Sequence, residues 1–255
     1  MQAAHQQRHY AVRHDWGLVG ASAITTGVDV AVVVDVLSFT TTLSVAADLG
    51  ITVLPYRWAD QTAADFAAEH DAALAVGRST AGPGQISLSP TTVRAADPAP
   101  ARLVLPPPNG STIAHHLAKT APVVVGACLR NAAAVAAWIT DQHPAAATRL
   151  AVVSAGERWP DGSLRPSVED LWGAGAVIAA LAQRGWTDMS PEAEVARDAH
   201  RSIDGDPNGA LVRCASGREL IAVGYPDDVE VAAEADTSDA VPVMMNAGFV
   251  WVRPS

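Results

Sequence analysis

The run Val30-Ala31-Val32-Val33-Val34 ends in Asp35, then passes through Val36-Leu37 into Ser38-Phe39-Thr40-Thr41-Thr42. An unbroken stretch of mostly β-branched apolar residues has no polar face to turn to water. It reads as a strand covered on both sides, the kind found inside a parallel sheet. Such a strand requires helices above and below it, which excludes bundles and simple sandwiches. A carboxylate at its carboxyl end stands where open α/β sheets bind ligands. Asp35 is therefore a candidate metal ligand or catalytic acid. The competing reading is an Asp that caps its own turn. Ser38, Thr40 and Thr41 can cap the next helix or offer hydroxyl and N–H groups to an anion.

Further strands are expected at Val28–Val36, Ile51–Pro55, Ala73–Val76, Leu103–Leu105, Val123–Ala127 and Leu150–Ser154. Helices are expected at Thr41–Leu49, Ala59–His70, Ser111–Ala118, Ala132–Asp141, Val168–Arg184, Pro191–Arg201 and Asp227–Ala235. Val241–Val252 adds one or two strands around Asn246-Ala247-Gly248. The alternation predicts a three-layer α/β/α fold with a mostly parallel sheet. At 255 residues, 49% of them apolar, the chain can bury one large core. No shift in composition marks a boundary, so residues 1–255 are read as a single domain whose first ten or so residues fray.

The net charge of −10 argues against nucleic acid as a partner. A small phosphorylated acid remains compatible, because one arginine or a divalent cation can reverse the field within a pocket. Cys128 and Cys214, the only cysteines, suggest neither a disulfide framework nor a zinc site. No apolar run approaches membrane-spanning length and the start lacks a signal-like core, so a cytoplasmic protein is expected. A homodimer is a compatible assembly.

Other candidate groups are ambiguous one by one. Glu169-Asp170 could hold a divalent cation, yet acids in a first helical turn stabilise that helix unaided, and Ser167-Val168-Glu169-Asp170 has the form of a capping box. Asn109-Gly110-Ser111-Thr112 is a plausible anion cradle at a helix start or an ordinary Asn-Gly turn. Arg78 could be a phosphate fork or a solvated arginine, and Arg130 with Asn131 carries the same ambiguity. Ser89-Pro90 lies in a Gly/Pro loop. Asp204–Gly209 mimics half of a calcium loop, but Ala215 stands where the closing Glu belongs, so a polar turn is expected.

Taken in order, these blocks resemble the 2-phosphosulfolactate phosphatase family, the ComB-like proteins of coenzyme M biosynthesis. The carriers are Val33-Val34-Asp35-Val36-Leu37 with Thr40-Thr41-Thr42, Ser89-Pro90, Pro108-Asn109-Gly110-Ser111, and Val125-Gly126-Ala127 with Asn131-Ala132-Ala133. Ser154-Ala155-Gly156, Ser167-Val168-Glu169-Asp170 with Gly173-Ala174-Gly175, and the tail Ser216–Leu220, Asp228-Val229 and Val241-Pro242-Val243 complete them. The resemblance implies Mg²⁺-dependent hydrolysis of a small acidic phosphomonoester. It makes Asp35, Glu169 and Asp170 the catalytic acids and Mg²⁺ ligands. Its implied substrate contacts are Asn109, Gly110 and Ser111, with Ser38, Thr40, Thr41, Arg78, Ser89 and Asn131 as further candidates. Water or a carboxylate could attack phosphorus.

The chain also departs from that pattern. Ser38 stands where the family has Arg, Gly77 where it has Glu before Arg78, and Leu88 where it has Asn. Pro106 and Pro107 replace threonines, and the loop Glu157–Pro166 is longer. Loss of Arg at position 38 removes an anion contact of roughly 2 kcal/mol. These departures keep open a substrate other than phosphosulfolactate, and a non-catalytic small-acid binding or regulatory protein on the same fold.

Overall fold

The structure is a computed structural model that describes residues 2–56, 61–82, 84–105, 109–246 and 248–254, with Gln61 and Asn109 entering by backbone alone. The valine run forms β2 (Val30–Val34), every residue of it buried. It lies between β6 (Val123–Ala127) and β7 (Leu150–Ser154), parallel to both, with Val32 beside Val125 and Val152. β1 (Val12–Trp16) adds to β7 in parallel. On the far side of β6 comes the antiparallel hairpin of β10 (Val241–Met245) and β11 (Gly248–Val252). Beyond it lie β3 (Thr52–Pro55), β5 (Arg102–Leu105) and β4 (Ala73–Leu74), parallel among themselves. The order is β1-β7-β2-β6-β10-β11-β3-β5-β4. Three successive antiparallel steps separate the two parallel blocks, so the blocks run in opposite senses.

Alternate residues of β2 feed two cores, as a doubly covered strand must. Val30, Val32 and Val34 pack with α6 (Ala132–Gln142), α7 (Val168–Gln183) and α8 (Pro191–Arg201). Ala31 and Val33 pack with α1 (Gly17–Ile24), α2 (Phe39–Asp48) and α5 (Asn109–Leu117). This is the three-layer α/β/α arrangement. Gly173 lets α7 lie directly on β2: a Cβ there would sit 2.6 Å from Val36 Cγ2 and 2.8 Å from Val34 Cγ1. The remaining helices are α3 (Gln61–Glu69), α4 (Pro90–Arg94), α9 (Pro207–Arg213), α10 (Ala215–Ala222) and α11 (Pro226–Ala232). Ala59 and Asp60 of the expected helix Ala59–His70, the residues Pro106–Pro108, and Ala247 of the hairpin turn lie outside the described residues.

Several segments differ from expectation. β1 and α1 arise where no element was predicted. The N-terminal segment carries a short 3₁₀ turn at Ala3–Gln6, and Gln7 exchanges hydrogen bonds with the His14 backbone. The expected polar turn at Asp204–Gly209 holds for Asp204 and Gly205 only; Asp206 Oδ1 then accepts the Gly209 N–H and caps α9. The loop Glu157–Pro166 contains a two-stranded ribbon, β8 (Glu157–Arg158) paired with β9 (Leu164–Arg165). No helix among the described residues is long and apolar enough to cross a membrane.

Candidate active site

β2 delivers Asp35 just past its last paired residue, and a cavity of about 440 Å³ opens there. Asp35, Ser38, Thr42, Arg78, Thr112, Glu157 and Arg158 contribute its polar wall. Asp35 is buried between two helix starts. Its Oδ1 accepts from Phe39 N at 3.2 Å, at the head of α2, and its Oδ2 from Gly110 N at 2.9 Å, at the head of α5. Both helix dipoles favour a negative charge at this point. The expected cradle at Asn109–Thr112 thus already faces an anion, the Asp35 carboxylate. The Asn109 side chain lies outside the described residues. Ser111 is fully buried in α5.

The hydroxyls of the Thr cluster serve the turn. Thr40 Oγ1 donates to Asp35 O at 2.8 Å and accepts from Asp35 N at 2.9 Å, while Thr41 Oγ1 donates to Val36 O at 2.7 Å. Both are buried, and it is Thr42 that reaches the cavity wall.

Glu169 and Asp170 open α7, and both are buried. The capping-box reading does not hold, because Ser167 makes no side-chain cap bond. Asp170 reaches outward instead. Its Oδ1 accepts from Val36 N at 2.7 Å and its Oδ2 from Gly156 N at 2.8 Å. It therefore pins the residue that follows Asp35 to the loop that follows β7.

The acids feel one another. Burial, first of all, lifts the Asp35 carboxyl to about 6; its two backbone hydrogen bonds and Arg78 oppose this, and Glu169 adds to it. Burial, with the charges of Asp35 and Glu169, holds Asp170 well above the usual carboxylate range. Burial and then the Asp35 charge push Glu157 up to about 7, against the pull of Arg165. Burial also drives the Cys214 thiol to about 12, with the Glu169 carboxylate beside it adding to the rise. Among the described residues, no three His, Cys, Asp or Glu side chains stand close enough to enclose a metal ion by themselves.

Arg78 enters the cavity wall from the segment after β4. Its Nε donates to Asp228 Oδ2 at 3.1 Å and its Nη2 donates to Ser38 Oγ. Ser89 does not reach the wall. It caps α4 by accepting from Thr92 N and donates its hydroxyl to Asp228. Asn131 is also elsewhere: Oδ1 accepts from Cys128 N at 2.9 Å, and Nδ2 donates to Ala240 O at 3.2 Å, bracing β6 to the start of β10. Arg130 is neither a phosphate fork nor a solvated group; it is buried in ion pairs with Asp48 and Glu234.

Sequence reasoning missed Glu157, Arg158 and Asp228 as site residues, and had Thr42 only as a member of the hydroxyl cluster after Asp35. Glu157 and Arg158 sit on a two-residue strand with no periodicity to read. The one available signal was the unusual length of their loop. Asp228 stood among the matched tail residues, without a role.

The model of the 2-phosphosulpholactate phosphatase family matches residues 21–247, nearly the whole chain and every wall residue just described. A Deinococcus radiodurans protein named as a probable 2-phosphosulfolactate phosphatase is 33% identical over 222 residues, covering 85% of this chain and 88% of its own. One of the same name from Thermus thermophilus is 32% identical over 218 residues, covering 85% and 88%. Another from Parasynechococcus marenigrum is 31% identical over 231 residues, covering 87% and 91%. With the β2 carboxylate, the helix starts around it and the acids of α7 all inside the matched span, the chain belongs to the 2-phosphosulfolactate phosphatase family, a family of phosphoric monoester hydrolases.

Proposed function

We propose that this chain hydrolyses the phosphate ester of a small, multiply acidic hydroxy acid, with 2-phosphosulfolactate the first candidate, in the cavity at the end of β2. The observation that carries this reading is Asp35 on the cavity wall, held by two helix starts, beside Glu157 and Arg78. Water attacks phosphorus, the ester P–O bond breaks, and the leaving alkoxide needs a proton. Asp35, at about 6, is largely ionised near neutral pH and takes a proton from the attacking water. Glu157, at about 7, keeps its proton to higher pH and gives it to the leaving oxygen. Arg78 and Arg158 meet the substrate's other acidic groups.

The donor set suits Mg²⁺. Several carboxylates with upward-shifted titration mark a surplus of negative charge that a cation relieves. Mg²⁺ commonly binds through one or two carboxylates plus water and substrate phosphate oxygens, so a closed protein cage is not needed. Asp35 would hold it through a bound water, the same water whose proton it accepts, with Glu169 and Asp170 setting the field behind. When bound, it would neutralise the phosphate and polarise its P–O bonds.

Two measurements test this reading. The kcat/KM for phosphate release should follow a bell, with limbs near the titrations of Asp35 and Glu157, rising around pH 6 and falling around pH 7. Glu157→Gln should lower the plateau and abolish the alkaline limb; an unchanged profile removes Glu157 from the mechanism. The second measurement is thermal. Asp35, Glu157 and Asp170 have raised folded-state pKa values, so between about pH 4 and 7 the folded chain holds protons that the unfolded chain has lost. Stability from these groups therefore falls as pH rises through that window. A cation that pairs with them should offset the loss, so the rise in Tm on adding Mg²⁺ should be larger at pH 7.5 than at pH 5. Comparing the Mg²⁺ increments cancels opposing groups such as His14, which burial keeps neutral down to about 4. Equal increments, or none, would remove Mg²⁺ from the assignment.

A further inference from the structure

Arg78 is gripped by a segment 150 residues further along the chain. Asp228 lies in the first turn of α11, and its side chain is only 1% exposed. One carboxylate oxygen accepts from Arg78 Nε at 3.1 Å, while the other accepts from Ser89 Oγ and from Thr91 N at 3.4 Å. Tyr225, just before α11, donates its hydroxyl to the Arg78 carbonyl at 2.8 Å, and the guanidinium lies 5.9 Å from the centre of its ring. Arg78 is thus held through its backbone carbonyl, beside the Tyr225 ring and at its Nε. Its Nη2 reaches Ser38, the residue that leads into α2, whose first N–H binds Asp35.

A buried carboxylate is costly unless it is paired. Here Ser89 and the Thr91 N–H already satisfy one of its oxygens, and the other is aimed at Arg78 Nε. Engagement at Nε, with one N–H of Nη2 on Ser38, leaves Nη1 and the second N–H of Nη2 for oxyanions. A flexible arginine would spend rotamer entropy when it closed on a ligand, whereas one fixed in advance does not.

We infer that Asp228 is a positioning residue that, together with Tyr225, presents the Arg78 guanidinium to an oxyanion of the substrate. The inference deepens the phosphatase reading and rests on it for the identity of the ligand. Asp228 itself touches no substrate.

The test is a double-mutant cycle on Arg78→Ala and Asp228→Asn, read as KM and kcat for phosphate release from 2-phosphosulfolactate and as the calorimetric Kd for sulfolactate, the alcohol left after phosphate loss. Arg78→Ala should raise KM and the sulfolactate Kd by about tenfold or more, the size of one charged hydrogen bond. Asp228→Asn should raise both several-fold with a smaller change in kcat. In the Arg78→Ala background it should add nothing further, because its effect runs through that guanidinium. Tyr225→Phe, which keeps the ring and the fold, should raise KM by a smaller factor. A purely structural ion pair would lower Tm and leave KM and Kd in place, and that result overturns the inference. So does an equal KM penalty from Asp228→Asn with and without Arg78. If wild type releases no phosphate, the phosphatase reading fails. The Kd arm then still decides the positioning role: weaker sulfolactate binding in Asp228→Asn supports it, and unchanged or absent binding overturns it.

Discussion

Asp35→Asn should reduce phosphate release by about 10²-fold or more while the fold survives. The substitution keeps size and removes charge. In the native chain both carboxylate oxygens accept N–H groups, from Phe39 and from Gly110. An asparagine can accept from one of these and must present an NH₂ group to the other, which costs about 1–3 kcal/mol. Against that, the change removes a buried charge that Glu169 opposes. The two effects are of similar size, so Tm should move little. Activity has no such compensation, since the amide cannot take a proton from water and binds a cation poorly. The check is kcat for phosphate release from a panel of phosphorylated hydroxy acids, with Mg²⁺ and with chelator, beside a melting curve. Equal activity in wild type and variant would falsify the role given to Asp35. No release by wild type from any substrate, with tight binding of a small acid, would favour a binding protein on the same fold.

Much of the frame was legible because burial on two sides leaves a simple trace. β2 had to be an uninterrupted apolar run, and from it followed parallel neighbours, covering helices and a carboxylate at the ligand-binding edge. β1 left no such trace. Its Arg13 and His14 are buried by tertiary partners, Arg13 Nη1 on Ile24 O at 2.9 Å and His14 Nε2 against Ser154 Oγ at 3.0 Å. Local pattern sees only two polar residues there. The reversal of sense between the two parallel blocks was equally hidden, since it depends on where the β10–β11 hairpin inserts.

The site divides along the same line. Asp35 was visible from its place on a strand. Asp170 looked like a helix-start acid, and its actual partners, Val36 N and Gly156 N, are set by the packing of α7 beside β2 and β7. Thr40 and Thr41 were read as ligand groups from their place at a helix start, and Ser89 and Asn131 from the family-like blocks that hold them. Each spends its side chain on protein partners that only the folded chain brings within reach.

Gly110→Ala should lower activity by about 10²-fold, the scale of a misplacement of about 1 Å at a reacting group, and should also lower stability. On propensity alone alanine would strengthen α5 by about 1 kcal/mol. The geometry overrides this. A Cβ at position 110 would lie 2.6 Å from Asp35 Oδ2, 2.6 Å from Phe39 Cδ1 and 2.9 Å from Asp35 Cβ. Phe39 cannot easily yield, because it is buried and packs edge-on to Phe249 with ring centres 6.1 Å apart. Either the head of α5 retreats and the Gly110 N–H loses Asp35, or Asp35 swings from its place between the two helices. Overpacking of this kind costs about 1–3 kcal/mol, which exceeds the gain in propensity. The two effects separate by experiment. Adding Phe39→Leu to Gly110→Ala opens space on the ring side and should recover part of the lost kcat, even though the smaller side chain lowers Tm further. A Gly110→Ala protein with full kcat and a raised Tm would show that α5 does not set the position of Asp35.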